Sequence, residues 1–341
     1  MRIKIGLLSI LMVLFCSCKD EYTYVTNVTE KVYTNNYYLE NQMDPITEDI
    51  RPDFLKEGDS VAVFAISNSV SESDLKNGIS VLESWGLKVL RADNLYKVDG
   101  RYAGTQSERI EGLQKLVDNP NLKALIAARG GYGASQVIPY IDFSNFEKNP
   151  KWVVGFSDVT SFHAALNNKG IETIHGPMVN AMTHTESVKS LRDALFGDLK
   201  KHTFTTNKHC VEGEAEGRLV GGNLSIIYSL GGTFFDLNVR DAILLIEDVG
   251  ESNYHIERMM INLKLSGKLE CVKGVIVGDF TRTTQGVDDS IEEIMERELS
   301  PLGIPVLYGA NFGHDTKNLA TYLGRKVKLE VGSDKSTVTF Q

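Results

Sequence analysis

The sequence has 341 residues, of which 42% are hydrophobic and 24% charged, and its formal net charge is −9. This composition is typical of a globular protein, and the length is sufficient for two domains of ordinary size. The negative charge argues against a nucleic-acid partner, because binding of that kind depends on basic residues that neutralise phosphates.

The N-terminus has the features of an export signal. Arg2 and Lys4 precede an apolar run, Ile5–Phe15, which is too short to cross a bilayer as a stable anchor. We interpret residues 1–17 as a bacterial lipoprotein signal and Cys18 as the lipidated first residue of the mature chain; an ordinary secretory signal is the alternative. Either signal predicts an exported protein, and lipidation predicts attachment to the membrane of the cell envelope.

The remainder of the chain divides into a tether and two domains. Residues 18–51 are rich in Tyr, Thr and Asn without strand or helix periodicity, and we expect a flexible tether. Alternating apolar strands and amphipathic helices predict an α/β domain with a parallel sheet, flavodoxin-like or Rossmann-like, over residues 52–185. A polar connector is predicted at 186–211 and a C-terminal domain at 212–341.

The predicted elements follow in chain order. Strands are predicted at Ser60–Ile66, Leu87–Arg91, Leu122–Ala128, Lys151–Phe156, Arg218–Val220, Ile243–Ile246, Gly274–Val277 and Lys326–Val331. Helices are predicted at Asp74–Trp85, Thr105–Val117, Asp158–Asn167, Glu186–Phe196, Leu224–Leu230, His255–Leu265 and Ser290–Leu299. The helix that begins after Thr105 has a capping box, since Thr105 is followed three residues later by Glu108.

The motif Gly155-Phe156-Ser157-Asp158 lies between a predicted strand and a predicted helix. A connection this tight lifts the intervening side chain clear of the sheet and aims the first N–H groups of the helix at one point. The motif therefore favours Ser157 as a nucleophile beside an anion site. The alternative is that Ser157 only caps its helix, because Val159 stands where the usual nucleophile elbow has a second glycine.

A serine nucleophile requires a base, and the base requires an orienting acid. His175 follows a strand, and His314 lies in a glycine-bearing loop after an apolar strand, whereas His163 is expected to pack in the core or at the surface. Glu247 ends an apolar strand, where functional groups gather in α/β folds. The residue pattern alone does not choose among these candidates.

A glycine-rich segment, Arg129–Gly133, follows another predicted strand. Its glycines allow positive φ angles, so that backbone N–H groups can converge on an oxyanion or a carboxylate. The segment lacks the lysine and hydroxyl residue of a phosphate loop. No metal or cofactor site is predicted, and we expect Cys210 and Cys271 to be free thiols.

Several sequence blocks taken together resemble the LD-carboxypeptidase family of serine peptidases, which includes muramoyltetrapeptide carboxypeptidases and microcin-immunity peptidases. The resemblance extends from about Pro52 to the C-terminus and rests on Leu55–Asp59, Tyr102–Thr105 with Arg109, Ala128–Gly133, Gly155–Asp158, His175–Pro177, Gly221–Leu224, Ile246–Asp248 with Glu257–Arg258, and Phe312–His314. It implies an α/β N-terminal domain, a smaller C-terminal domain with a barrel-like sheet and helices, and a homodimer.

The resemblance also implies roles for individual residues. Ser157 is the expected nucleophile, His314 the general base and Glu247 the orienting acid, while backbone N–H groups of Gly131 and Asp158 form the oxyanion hole. Substrate contacts are predicted for Arg129, Tyr132 and Asn223.

The implied reaction is hydrolysis of an L,D-peptide bond, which releases D-alanine from a murein tetrapeptide without a cofactor. An export signal departs from the murein-recycling members, which work in the cytoplasm. Two alternatives therefore stay open: a peptidase or amidase that inactivates a peptide antibiotic, and a non-catalytic lipoprotein that binds murein peptides.

Overall fold

The computed structural model describes residues 46–341. The predicted signal at 1–17, the lipidated Cys18 and the tether up to residue 45 lie outside the described residues. Within 46–341, no helix combines the length and the apolar character that a membrane crossing requires.

The described part of the chain contains helices and strands in alternation. The helices are α1 Glu72–Ser84, α2 Gln106–Asp118, α3 Ser144–Lys148, α4 Thr160–Asn167, α5 Thr185–Phe196, α6 Leu224–Leu230, α7 Asn253–Leu265, α8 Lys268–Cys271 and α9 Ile291–Leu299. The strands are β1 Ser60–Phe64, β2 Lys88–Arg91, β3 Leu122–Ala127, β4 Trp152–Gly155, β5 Thr173–His175, β6 Lys201–Thr205, β7 Gly213–Asn223, β8 Ile243–Val249, β9 Gly274–Thr281, β10 Val306–Gly313, β11 Thr321–Leu323, β12 Lys326–Val331 and β13 Lys335–Phe340. The predicted capping box of α2 is present, with Thr105 and Glu108 each accepting from the other's backbone N–H.

The first sheet has the strand order β11-β5-β4-β3-β1-β2. Strands β1 to β5 are parallel, and β11 pairs with β5 in the antiparallel sense. The central strands β1, β3 and β4 are almost wholly buried, as expected for a parallel sheet covered on both faces. The carboxyl ends of β4 and β5 therefore meet at one edge, where Ser157 and His175 lie.

The second sheet has the order β10-β9-β8-β7-β12-β13-β6. Strands β7 to β10 are parallel, whereas β12, β13 and β6 form antiparallel pairs. The helices α6, α7 and α9 pack around a separate apolar cluster against this sheet. The predicted fold class, a parallel α/β unit joined to a second unit with a curled, barrel-like sheet, is confirmed.

The structure differs from the predicted connector. Residues 186–211 contain most of α5 and the whole of β6, which is an edge strand of the second sheet. Strand β6 alternates exposed and buried residues, with His202 and Phe204 facing inward. The segment is mostly polar, so its sequence lacks the clear alternation of apolar and polar residues that indicates a half-buried strand.

Two segments cross between the predicted regions. Strand β11 comes from the C-terminal part of the chain but completes the first sheet beside β5. The last residues of the predicted tether are also packed onto the fold, because Ile50 forms a parallel bridge with Ile171 and Arg51 pairs with the buried Glu172 at 3.1 Å. The ordered fold therefore begins before the predicted domain start at residue 52.

Candidate active site

Ser157 lies on a sharp turn between β4 and α4. It begins a single 3-10 turn that ends at Val159. Its backbone φ is 63°, a value that residues other than glycine rarely adopt. A Cβ on Gly155 would lie 2.8 Å from the Val159 side chain, so only glycine fits at the end of the strand. A strained serine at such a turn is the geometry of a nucleophile elbow.

The alternative interpretation of Ser157 as a helix cap is wrong. Helix α4 begins at Thr160, its N-cap residue is Val159, and no side chain caps it. No side-chain hydrogen bond caps the 3-10 turn that Ser157 begins. The hydroxyl is therefore not engaged in holding the local backbone.

The glycine-rich segment lies directly against Ser157. A Cβ on Gly130 would come within 3.0 Å of the Ser157 Cβ and 3.1 Å of its Oγ. Gly131 has a φ of 125°, and its added Cβ would meet the Asn68 side chain at 2.3 Å. In the part of the chain that the structure describes, the amide N–H groups of Gly131 and Asp158 donate no hydrogen bond. Both are available to an oxyanion beside Ser157.

The side chain of Asp158 has a structural role. Its buried carboxyl accepts hydrogen bonds from Ser67 Oγ at 2.5 Å and from the amide of Ala134 at 2.8 Å. Burial raises the pKa of Asp158, and these two hydrogen bonds oppose that effect. The carboxyl therefore ties the turn that carries Ser157 to the chain that follows the glycine-rich segment.

Glu247 and His314 form a hydrogen-bonded pair in the second sheet. Glu247 lies near the end of β8 and is fully buried, and its Oε2 is 2.7 Å from Nδ1 of His314, which directly follows β10. Burial alone would raise the pKa of Glu247, but the imidazoles of His175 and His314 outweigh burial and lower it. A charged acid thus holds one ring nitrogen of His314 and leaves Nε2 free.

Irregular strand pairing creates the space for this pair. The register between β8 and β9 shifts at Glu247, so that two residues of β9, Gly278 and Asp279, lie opposite Glu247 alone. A Cβ on Gly278 would lie 3.2 Å from the Glu247 Cβ, and one on Gly313 would lie 2.6 Å from Glu247 Oε2. The two glycines let neighbouring strands approach the buried carboxylate.

The two sheets meet beside the nucleophile. The backbone N–H of Asn223, at the end of β7, donates to Thr160 Oγ1 at 3.0 Å. A Cβ on Gly222 would lie 2.6 Å from the same oxygen. The ring of Phe156 lies 4.7 Å from the ring of His314. The structure therefore places Phe156, the residue before Ser157, in ring contact with His314, although the two are distant in sequence.

The residues predicted to contact substrate occupy different environments. Arg129 is half-buried, and its guanidinium makes one long hydrogen bond, 3.4 Å, to the Ser69 carbonyl. Tyr132 is 47% exposed on the glycine-rich segment. Asn223 is buried and caps α6, where its side-chain amide donates to Asp248 at 3.0 Å. Its substrate-binding role stays a prediction.

His163 packs inside the first part of the fold. His163 is fully buried with Nε2 2.9 Å from the Gly155 carbonyl, and burial lowers its pKa to about 3, so its predicted packing role is confirmed.

Among residues 46–341, no group of three or more His, Cys, Asp or Glu side chains is arranged to hold a metal ion. Cys210 and Cys271 are free thiols.

Two residues of the site received no specific role from the sequence. The sequence marks His175 only as a histidine that follows a strand, yet its Nε2 lies 3.8 Å from Glu247 Oε1. Asp279 was not singled out; burial and the nearby carboxylates of Asp315 and Glu247 raise its pKa to about 7. Its position just after the apolar run of β9 is a signal that could have identified it.

Comparison with known proteins agrees with this arrangement. The profile of the LD-carboxypeptidase N-terminal domain matches residues 61–176, and that of the LD-carboxypeptidase C-terminal domain matches residues 216–329. The first profile includes Ser157 and the second includes both Glu247 and His314. Together they span the two sheets that meet at the site.

Relatives cover nearly the whole described chain. A probable murein peptide carboxypeptidase of Bacillus subtilis is 33% identical over 299 residues, covering 84% of this chain and 94% of its own length. The microcin C7 self-immunity protein MccF of Escherichia coli is 26% identical over 330 residues, covering 84% and 95%. The crystal structure of muramoyltetrapeptide carboxypeptidase from Oxalobacter formigenes is 27% identical with a TM-score of 0.75, covering 82% and 98%.

One assignment follows from the matches to both domain profiles, from the relative of 33% identity and from the fold shared with muramoyltetrapeptide carboxypeptidase. The chain belongs to the LD-carboxypeptidase family and is a serine-type carboxypeptidase.

Proposed function

We propose that this protein hydrolyses the L,D-peptide bond of a murein tetrapeptide and releases its C-terminal D-alanine, using Ser157, His314 and Glu247 as the catalytic triad. The observation that carries the proposal is the 2.7 Å hydrogen bond between Glu247 and His314, and the φ of 63° at Ser157 supports it. The relatives named as murein peptide carboxypeptidases support the substrate class.

The geometry supports a specific path for the proton. Glu247 accepts the Nδ1 proton of His314, so Nε2 is the nitrogen that can take the proton of Ser157 Oγ. The oxygen attacks the carbonyl carbon on the L-configured side of the scissile bond. His314 then gives the proton to the amine of the departing D-amino acid, and a water molecule hydrolyses the acyl-enzyme by the same steps in reverse.

Backbone amides stabilise the oxyanion in this proposal. The N–H groups of Gly131 and Asp158 have no acceptor within residues 46–341 and flank Ser157. Removing one donor from such a hole typically costs on the order of 100-fold or more in kcat.

Arg129 is proposed to bind the C-terminal carboxylate of the peptide. Its guanidinium is half-buried, follows β3 directly and makes no ion pair of 4 Å or less within the described chain. A carboxylate there would gain a charge-assisted hydrogen bond. Tyr132, exposed next to it, is proposed to cover the peptide.

A second candidate function is inactivation of a peptide antibiotic. The match to the self-immunity relative from Escherichia coli covers 84% of this chain and supports this alternative. The same triad would then cleave a different acyl or amide bond. Substrate comparison separates the two candidates.

Export and assembly complete the proposal. We propose a lipoprotein of the cell envelope that is anchored through Cys18 and faces the periplasm or the outer surface, and a homodimer in solution. Exposed apolar side chains of Tyr254, Ile261 and Leu265 lie on one face of α7 and support a contact between copies. Metabolic labelling with a lipid precursor tests the anchor, since Cys18→Ala should abolish labelling, and light scattering measures the mass of the assembly.

The decisive experiment is incubation of the purified mature protein with a murein tetrapeptide, with Ser157→Ala as the control. We expect wild type to release D-alanine and the variant to release none above background. A wild-type protein that binds the peptide without releasing D-alanine would refute the proposed reaction for that substrate, and a parallel assay with an aminoacyl nucleotide antibiotic would test the alternative.

A further inference from the structure

His175 lies between the nucleophile and the acid. It is the last residue of β5, pairs in register with Gly155 of β4, and is opposite Thr321 of β11 on its other side. Its side chain is fully buried. The ring therefore projects from the first sheet, two positions along the neighbouring strand from Ser157, toward Glu247 of the second sheet.

The polar atoms of His175 and Glu247 are complementary and unsatisfied. Within the described chain, neither ring nitrogen of His175 has a hydrogen-bond partner, and neither does Oε1 of Glu247. The distance from His175 Nε2 to this oxygen is 3.8 Å. Leaving a buried polar group without a partner is unfavourable, so a donor and an acceptor at this separation favour closure to hydrogen-bond distance.

Ordinary packing does not explain this arrangement. His163 and His202 are equally enclosed, but each satisfies Nε2 with a backbone carbonyl, Gly155 at 2.9 Å and Ala320 at 2.9 Å. His175 has no such carbonyl, and the carboxylate of Glu247 is its ion-pair partner within 4 Å. Each oxygen of Glu247 thus faces one imidazole, Oε2 facing His314 and Oε1 facing His175.

We propose that His175 is a positioning residue that donates Nε2–H to Glu247 Oε1 and thereby fixes the carboxylate that orients His314. This inference rests on the proposed triad. Because His175 belongs to the sheet that carries Ser157, the contact aligns an acid in one sheet with a nucleophile in the other. The Phe156 ring contacts both imidazoles, at 5.8 Å from the His175 ring and 4.7 Å from the His314 ring.

Two amide substitutions test the contact. The amide nitrogen of His175→Gln can replace Nε2, whereas the shorter side chain of His175→Asn replaces Nδ1 and leaves Glu247 Oε1 without its donor. We expect His175→Gln to retain kcat within about 3-fold, and His175→Asn to lower kcat by about 10- to 100-fold with little change in KM. His202→Asn is the control, because His202 is also buried and loses its Nε2 contact with the Ala320 carbonyl in this variant.

The pH profile distinguishes positioning from packing. A carboxylate without its second donor is more basic, so either Glu247 becomes protonated or the His314 imidazolium is stabilised at higher pH. Both effects move the acidic limb of the kcat/KM profile to higher pH in His175→Asn. The control His202→Asn should lower the thermal midpoint without moving this limb.

The outcomes separate this inference from the proposed function. If Ser157→Ala retains activity, the proposed triad fails; if Ser157→Ala is inactive while both His175 variants match wild type, only the role of His175 fails. Equal losses in the two His175 variants would also overturn the contact. Should neither variant fold, nitrogen-15 NMR of wild type decides, since the Nε2–H tautomer at His175 is expected and the Nδ1–H tautomer contradicts it.

Discussion

Gly313 packs directly against the carboxylate of Glu247, and a Cβ at Gly313 would lie 2.6 Å from Oε2. That same oxygen accepts the hydrogen bond from His314, the next residue in the chain. The φ of Gly313 is 122°, which also disfavours any other residue. The position of His314 relative to Glu247 therefore depends on the absence of a side chain at Gly313.

We expect Gly313→Ala to lower both stability and kcat. The backbone strain and the collision with Glu247 together should cost about 2–5 kcal/mol of unfolding free energy. Gly303→Ala is the matched control, because Gly303 has a φ of 64° but an added Cβ would meet nothing within 4 Å. Urea unfolding measures the difference; equal losses in the two variants would show that the contact with Glu247 is unimportant.

Glu247→Gln preserves the shape of the acid and removes its charge. An amide can present N–H to His314 Nδ1 and so favour the tautomer in which Nε2 carries the proton and cannot act as a base. We expect kcat to fall by about 1000-fold or more with KM nearly unchanged, measured by D-alanine release. Glu257→Gln, on the surface of α7, serves as the control. A loss smaller than about 10-fold would argue against Glu247 as the orienting acid.

Gly130→Ala tests the glycine-rich segment without a positive φ. Its Cβ would come within 3.0 Å of the Ser157 Cβ, so the segment or the serine must shift. Because small displacements of reacting groups can cost about 100-fold in rate, we expect kcat/KM to fall by about 10- to 100-fold. Gly231→Ala introduces a similar contact, 3.1 Å from the Tyr228 carbonyl, at the end of α6. Activity lost equally in both variants would count against a role for the Gly130 contact.

The sequence predicted the local elements well because their signals are local. Strand β12 and helix α6 have the predicted bounds, since alternating charged and apolar residues mark the strand and a capping asparagine marks the start of the helix. Strand β6 was predicted as connector because its five residues are mostly polar, and β11 has three residues. Strands this short are recognised by their pairing, and pairing depends on distant parts of the chain.

The candidate site was predictable in its parts but not in its assembly. The turn at Ser157 follows from neighbouring residues, whereas nothing close to Glu247 in sequence indicates that His175 faces it from another sheet. The register shift opposite Glu247, which places Gly278 and Asp279 against one residue, is likewise a property of two paired strands. The family resemblance supplied the partners that local patterns left open.

Asp279 makes stability depend on pH in a predictable direction. Its pKa is raised from an ordinary value of 3.8 to about 7, first by burial and then by the carboxylates of Asp315 and Glu247, while His314 opposes the shift. The native state therefore holds a proton that the unfolded state has lost between about pH 4 and pH 7. The stability associated with this group is complete below about pH 4 and decreases as pH rises to about 7.

Asp279→Asn should remove this dependence, because Asn resembles the protonated carboxyl at every pH. We expect the variant to be about as stable as wild type at pH 4.5 and more stable than wild type at pH 8, as measured by the urea midpoint at each pH. Asp334→Asn, at an exposed position, is the control and should show no such divergence. Parallel midpoints for wild type and Asp279→Asn across this range would mean that Asp279 is ionised in the native state throughout, so that the neighbouring carboxylates do not hold its proton.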